Sequence, residues 1–142
     1  MKLVIDTNII ISALMRDSLA RIIILEGNLD LISPEFTLDE VNKYEQLILD
    51  KSGLSEGEFE DLFLTILDKI EIIPKEEYSS YMVEAENLMG KIDIKDVPFV
   101  ACALAMDADG LYSEDRHFEG QDRIKLFKTK DVLEFLDDNF VE

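Results

Sequence analysis

Acidic side chains stand at positions along the chain where a parallel β-sheet could bring them together. Asp6 directly follows an apolar, strand-like run at the amino terminus, and one residue separates Asp115 from a second such run. Glu40 lies on the predicted helix after the second strand, and Asp96 begins the predicted helix before the fourth. Open parallel sheets bind their ligands beyond the carboxyl ends of the strands. We therefore expect these four carboxylates to meet at one edge of the sheet.

Carboxylates gathered in one cleft favour the binding of hard divalent cations. Their mutual repulsion makes the ionised state costly unless cations lie between them, and oxygen ligands of this kind suit Mg²⁺ or Mn²⁺. Asp93 lies one helical turn before Asp96, and two further acids, Asp39 and Glu114, adjoin members of the group. The number of ligands could therefore exceed four, with Asp93 as the first additional candidate.

Each acid also has a purely structural interpretation. Thr37-Leu38-Asp39-Glu40 fits a capping box, in which Glu40 would serve only its own helix. Ser33-Pro34 is a better start for that helix and would put Glu40 in the second turn, free to face the cleft, so we favour the ligand role. The other interpretations are hydrogen bonds at the following helix start for Asp6, helix capping for Asp96 and turn formation for Asp115.

An alternation of strand and helix patterns is expected to position these acids. Short apolar runs alternate with longer segments of helical periodicity, which predicts a mostly parallel sheet of about five strands covered by helices on both faces, an α/β/α sandwich. The predicted strands are 2–5, 31–33, 70–73, 111–113 and 124–127. The predicted helices are 7–15, 18–26, 34–51, 55–69, 78–89, 93–106 and 130–136.

Four short motifs, in order along the chain, resemble those of PIN-domain nucleases, including VapC-like toxins. They are Val4-Ile5-Asp6-Thr7-Asn8, Thr37-Leu38-Asp39-Glu40-Val41, the segment Asp96 to Ala103, and Ser113-Glu114-Asp115-Arg116-His117-Phe118. Any one of them is a weak signal, but four in sequence, each in the expected strand or helix context, are fairly specific. The resemblance covers nearly the whole chain, so we expect a single PIN-like domain over residues 1–142.

The resemblance implies a metal-dependent endoribonuclease, in which Asp6, Glu40, Asp96 and Asp115 hold Mg²⁺ or Mn²⁺ and Asp6 bridges or anchors the principal ion. It further implies hydrolysis of RNA phosphodiesters that leaves a 5′-phosphate and a 3′-hydroxyl. Asn8 and Ser113 would be supporting polar groups. The chain has one histidine, whereas a metal-free ribonuclease usually needs two acid-base groups, so metal catalysis fits better.

The charge of the chain restricts how it could bind nucleic acid. The formal net charge is −18, and phosphate contacts need lysine or arginine to displace counterions. Metal ions or a basic partner, such as an antitoxin, could neutralise the acids. The notably basic stretch is 116–130, and within it we predict that Arg116 and His117 contact the substrate. The lysines of this stretch could bind phosphates or could simply flank a strand.

Composition limits the other function classes. No stretch is long enough to cross a bilayer and the start is typical of a strand rather than a signal peptide, so we expect a cytoplasmic protein without membrane contact. The single cysteine, Cys102, excludes an internal disulfide and a cysteine-based zinc cluster. Phosphate-loop, His-Glu-x-x-His and Gly-x-Ser-x-Gly motifs are missing, which argues against a nucleotide-binding domain, a zincin and an α/β-hydrolase.

Two alternatives to the nuclease stay open at this point. One is a catalytically silent PIN-fold domain that binds nucleic acid or protein as a scaffold, favoured by the scarcity of basic residues. The other is a Mg²⁺-dependent phosphatase of the haloacid-dehalogenase type, which also starts with a strand and an aspartate but has a second aspartate where this chain has Asn8. Apolar residues on the helices over 59–67 and 78–89 could form a homodimer surface or belong to the core.

Overall fold

The computed structural model describes residues 1–15, 18–90 and 93–140. Within these ranges, strands from both halves of the chain form one parallel sheet in the order β3-β2-β1-β4-β5. The strands are β1 (Lys2–Ile5), β2 (Asp30–Pro34), β3 (Ile70–Ile73), β4 (Gly110–Tyr112) and β5 (Leu126–Phe127). The predicted α/β class with a parallel sheet of about five strands is therefore confirmed.

The sheet is buried on both faces by helices. Alternate residues of the central strand point to opposite sides, so that Leu3 and Ile5 join one apolar cluster while Val4 joins the other, and all three are fully buried. The first cluster packs under α1 (Thr7–Met15), α2 (Leu19–Glu26), α3 (Phe36–Ser52), α4 (Glu56–Leu67) and α8 (Thr129–Phe140). The second packs under α5 (Lys75–Tyr78), α6 (Met82–Met89) and α7 (Val97–Ala105). Cys102 is buried in this second cluster, as expected for a small core residue.

The strand order creates a crevice between β1 and β4. Connections from β1 run outward to β2 and β3 on one side, whereas β4 and β5 lie on the other side. Neighbouring strands whose connections leave in opposite directions form a topological switch point, where ligands bind beyond the carboxyl ends. Asp6 and Ser113 directly follow these two strands, so the fold places them on the two sides of the crevice.

Two predicted helix boundaries were wrong. Ser33 and Pro34 belong to β2 and not to a helix start, because Pro34 still pairs with Ile73 of β3 and the helix begins only at Phe36. The predicted helix over 78–89 is interrupted by a 3₁₀ turn at Ser79–Tyr81 between α5 and α6. Serine hydroxyls compete for backbone hydrogen bonds, which weakens a regular helix at that point.

The carboxyl-terminal elements also differ from prediction. β5 begins at Leu126 rather than at Ile124, because the Gln121 side chain accepts from the Ile124 N–H and donates to the Ile124 and Phe118 carbonyls, which holds this segment in a turn. α8 extends to Phe140. No helix among the described residues is long and apolar enough to span a membrane.

We predict that Gly110 is required for the approach of β5 to β4. A Cβ at this position would lie 2.6 Å from the Lys125 carbonyl oxygen and 2.6 Å from the Phe127 ring. Gly110→Ala should therefore lower the free energy of unfolding by about 2 kcal/mol in urea titrations, because backbone and a buried ring must move. The matched change Gly57→Ala, on an open helical surface, should instead stabilise by up to ~1 kcal/mol. Equal effects at both glycines would contradict this account.

Candidate metal centre

Carboxylates from distant parts of the chain line one cavity of about 200 Å³ at the carboxyl edge of the sheet. They come from the end of β1, the second turn of α3, a 3₁₀ turn at Ile94–Asp96 with the residue before it, and the loop after β4. The acids of the cavity are Asp6, Glu40, Asp93, Asp96 and Asp115. The structure thus brings the four expected carboxylates together, with Asp93 as a fifth.

Asp6 is the most buried part of this acidic group. It is only 6% exposed, and its Oδ2 accepts a hydrogen bond of 2.6 Å from Ser113 Oγ. The backbone N–H of Asn8 donates to the same carboxylate. Burial nevertheless raises the pKa of Asp6 to about 6, and the nearby charges of Asp115 and Asp96 raise it further. The hydrogen bonds only partly offset the cost of ionisation.

Ser113 connects the ends of β1 and β4. Besides donating to Asp6, its Oγ accepts a hydrogen bond of 2.9 Å from the backbone N–H of Asp115. The hydroxyl is fully buried. It thus fixes one carboxylate directly and begins the loop that carries another. Asn8 is exposed and also lines the cavity, so both residues expected as supporting polar groups lie at the site.

Glu40 faces the cavity and does not complete a capping box. Its Oε1 accepts a hydrogen bond of 2.6 Å from Thr7 Oγ1, and Thr37 pairs with Ser33 at 2.6 Å rather than capping α3. Burial raises the pKa of Glu40, and the Thr7 hydrogen bond lowers it. Thr7 was not among the predicted site residues. The signal for it was its place directly after Asp6, at the first position of α1.

Asp96 and Asp93 have different local roles. Asp96 makes no side-chain hydrogen bond at the start of α7, and burial raises the pKa of its carboxyl. The Asp93 side chain instead accepts a hydrogen bond of 2.9 Å from the Lys95 N–H and so caps the 3₁₀ turn. Asp93 therefore serves as the cap, whereas the Asp96 carboxyl lines the acidic cavity.

His117 lies against the acids of the cavity. Its Nδ1 is 2.9 Å from Asp96 Oδ2 and 3.5 Å from Asp115 Oδ1, and these contacts raise the pKa of the imidazole, the hydrogen bond to Asp96 most. Asp93, Asp96 and His117 each offer a ligand atom within 4.8 Å of the others. The ring is 45% exposed, so it also reaches solvent. The sequence pattern suggested a substrate contact for His117 but not this partnership with Asp96.

Asp115 both organises a turn and lines the acidic cavity. Its Oδ1 accepts a hydrogen bond of 2.9 Å from the His117 N–H, which forms the turn before the 3₁₀ segment Arg116–Gly120. The same side chain lines the cavity. The neighbouring Glu114 does not; it accepts from the Thr129 N–H and connects this loop to the start of α8. Asp39 is exposed and lies outside the cavity.

Much of the basic stretch is already occupied by contacts within the protein. Lys128 pairs with Glu119 at 3.0 Å, Arg123 approaches Glu84 at 3.9 Å, and Lys125 lies over the Phe127 ring at 4.8 Å. Arg116 is exposed beside the site and, among the described residues, has no carboxylate within ion-pair distance. Of this stretch, Arg116 and His117 are therefore the groups next to the acids that remain accessible to a substrate.

The donor set fits a hard divalent cation. The cavity is lined by several carboxylates, the ligands that Mg²⁺ and Mn²⁺ prefer, and the pKa of Asp6, raised by burial and further by Asp115 and Asp96, reflects a cost of ionisation that a cation would relieve. A family profile described as PIN domain matches residues 4–134, which include every acid of the cavity.

The chain belongs to the PIN-domain family. PIN domains are generally nucleases, act on nucleic acids and depend on divalent metal ions. A comparison with curated proteins gave no match. The family thus accounts for the clustered acids, while the substrate of this particular member has to be inferred from its own residues.

We predict that Asp6 destabilises the metal-free protein as the pH rises. Its pKa is raised in the folded state, so the stabilising neutral form is fully present below the ordinary value of 3.8 and is lost as the pH rises through about 6. Between pH 4 and pH 8, Asp6→Asn should therefore gain on the order of 2 kcal/mol in unfolding free energy relative to wild type. Urea unfolding of both proteins at a series of pH values, in the presence of a metal chelator, measures this difference in unfolding free energy.

The matched control is Asp30→Asn, which removes the same charge at the exposed amino end of β2. It should not reproduce the gain in unfolding free energy that Asp6→Asn shows. Added Mg²⁺ or Mn²⁺ should stabilise wild type above pH 6 and stabilise Asp6→Asn much less, because binding to the folded state raises stability. A stability difference that is constant across the pH range would disprove the assigned role of Asp6 burial.

Proposed function

We propose that the protein is a Mg²⁺- or Mn²⁺-dependent endoribonuclease that hydrolyses phosphodiester bonds of RNA. The observation that carries the proposal is the meeting of Asp6, Glu40, Asp93, Asp96 and Asp115 around one small cavity, although they come from four separate segments. Membership of the PIN-domain family supports nuclease chemistry at that place. The choice of RNA as substrate rests on the motif resemblance.

The residues of the cavity divide into ligands and groups that orient them. Asp6, Glu40, Asp96 and Asp115 would hold the cations, with Asp93 as an additional ligand. Ser113 orients Asp6, and Thr7 orients Glu40, through their 2.6 Å hydrogen bonds. When bound, the divalent ions supply an activated water and stabilise the leaving oxygen. The carboxylates are then ligands rather than general bases.

His117 and Arg116 are proposed to contact the substrate at the rim. Asp96 engages Nδ1 of His117, which leaves Nε2 on the partly exposed ring for a phosphate oxygen or a sugar hydroxyl. Arg116 adds an exposed positive charge next to it. In a protein of net charge −18, such local cations are the groups that can offset repulsion between the acidic surface and RNA.

Finer parts of the proposal concern domain organisation and partners. We propose one PIN-like domain over residues 1–142 and, more narrowly, a toxin whose antitoxin is a basic protein that complements the strong negative charge. Growth arrest on expression of wild type but not of Asp6→Asn, relieved by a basic protein encoded beside it, tests the toxin role.

Two exposed apolar residues, Leu64 on α4 and Val83 on α6, are alternative candidates for a homodimer surface.

The direct test is cleavage of mixed single-stranded RNAs by metal-stripped protein, with and without Mn²⁺. Wild type should cleave only with the metal and leave 5′-phosphate and 3′-hydroxyl ends. Asp6→Asn should lower the rate at least roughly 100-fold, because it removes a buried ligand. The matched variant Asp30→Asn should cleave like wild type.

Residual cleavage that is equal in wild type and Asp6→Asn would indicate a contaminating nuclease and count against the proposal. Metal-dependent binding of RNA without turnover would favour the silent scaffold. Release of phosphate from an aryl phosphate, with no cleavage of RNA, would favour the phosphatase. These outcomes separate the three function classes.

A second test addresses His117. If the ring contacts the substrate, His117→Gln should raise the KM for RNA about tenfold and leave the Mn²⁺ concentration for half-maximal activity within about twofold of wild type. Asp96→Asn should do the reverse and raise the metal requirement strongly. A His117→Gln variant that needs much more Mn²⁺ at unchanged KM would instead identify the imidazole as a metal ligand.

A further inference from the structure

A second pocket of about 420 Å³ adjoins the acidic cavity. We call it the side pocket. Its apolar wall consists of Phe36, Tyr78, Met82, Ile94 and Pro98. Its polar groups are Glu35, Asp39, Lys75 and Lys95. A concave, mainly apolar site with few polar groups is the usual form of a small-ligand pocket.

The side pocket and the acidic cavity share two walls. On α3, Phe36 and Asp39 line the side pocket, while Glu40 lines the cavity. In the 3₁₀ turn, Ile94 lines the side pocket, Asp96 lines the cavity, and Lys95 between them lines both. If one unit of a polymer lies in the acidic cavity, the adjacent unit can therefore reach the side pocket.

Lys95 carries the positive charge at the junction. Its side chain is exposed, lowers the pKa of Glu40, and has no carboxylate within ion-pair distance among the residues described. Lys128 and Arg123 are paired, whereas Lys95 stays available. An exposed ammonium between an acidic cavity and an apolar pocket suits a phosphate that bridges them.

The chemistry of the side pocket favours a neutral, flat group. Ile94 is 77% exposed there, and Phe36 packs edge-on against Phe99, which lines the acidic cavity, at a centroid distance of 6.3 Å. The two carboxylates, Glu35 and Asp39, balance the two ammonium groups, so the side pocket carries no net charge, and the carboxylates can accept hydrogen bonds from the amino group of a base. Unpaired bases bind proteins by contact of their faces with aromatic and apolar side chains.

We propose that the side pocket binds one unstacked base of a single-stranded RNA substrate, with Lys95 holding the phosphate between that base and the metal centre. This inference rests on the proposed ribonuclease function and adds a subsite to it. The base would select single-stranded over duplex RNA, because a paired base cannot leave its helix without cost.

The test compares two pocket variants with matched controls on short single-stranded RNAs. Ile94→Ser and Lys95→Gln change exposed side chains, as do the controls Leu19→Ser on α2 and Lys69→Gln before β3. The pocket variants should raise KM roughly five- to tenfold, with kcat within about twofold of wild type, and the controls should not. Urea unfolding checks that all four fold.

A substrate with a single base-free nucleotide, moved along the RNA, locates the bound base. Wild type should lose roughly tenfold in kcat/KM when one particular position next to the cleaved bond lacks its base. Ile94→Ser should lose much less at that position, because its pocket is already impaired. Equal loss in wild type and Ile94→Ser at every position would overturn the assignment of the pocket.

A binding measurement separates failure of the subsite from failure of the nuclease. Fluorescence anisotropy of a labelled single-stranded RNA with Asp6→Asn, in Mn²⁺, needs no turnover. If wild type cleaves RNA but the pocket variants behave like the controls, the base subsite is refuted and the nuclease stands. If wild type cleaves nothing, RNA binding by the double variant Asp6→Asn/Ile94→Ser is compared with binding by Asp6→Asn alone. Weaker binding by the double variant still supports the subsite, and equal binding refutes it.

Discussion

The cost of keeping several carboxylates ionised in one partly buried cavity is the constraint on which the rest of this structure depends. Asp6, Glu40 and Asp96 all have pKa values raised by burial. Hydrogen bonds from Ser113 and Thr7 hold two of these groups in place but do not abolish the cost of their charge. Ionised carboxylates in such a cavity are unfavourable by themselves, and a bound divalent cation would offset this cost and so couple stability to metal binding.

The parallel sheet provides the rigidity that such a cavity needs. β1 is buried on both faces, and the carboxyl ends of β1 and β4 are held together by main-chain hydrogen bonds and by the Ser113 hydroxyl. Asp6 and the loop that carries Asp115 therefore cannot move apart without disrupting these contacts. Helix α3 and the 3₁₀ turn before α7 complete the ring from the two sides of the sheet.

Charge also restricts how the proposed RNA substrate could approach this acidic protein. With a net charge of −18, the molecule as a whole repels polyanions, so favourable contacts have to be local. Lys128 and Arg123 are engaged in ion pairs, whereas Lys95, which lines the acidic cavity, and Arg116, which follows Asp115, are exposed. The proposed path of the substrate follows these two cations and continues into the side pocket.

The sequence by itself determined the fold class, because apolar runs of strand length, each followed by a helical pattern, require a covered parallel sheet. It also predicted four acids that line the cavity: Asp6 and Asp115 from their places just after strands, and Glu40 and Asp96 with the support of the motif resemblance. Tertiary structure alone decided the partners: Thr7 for Glu40, His117 for Asp96, and Glu114 turned toward Thr129 and away from the cavity. It also decided that Pro34 stays in β2 and that a side pocket adjoins the cavity. The periodicity of a segment predicts which face of its own helix or strand a residue occupies. The contacts named above join separate elements, so they depend on how those elements pack against one another.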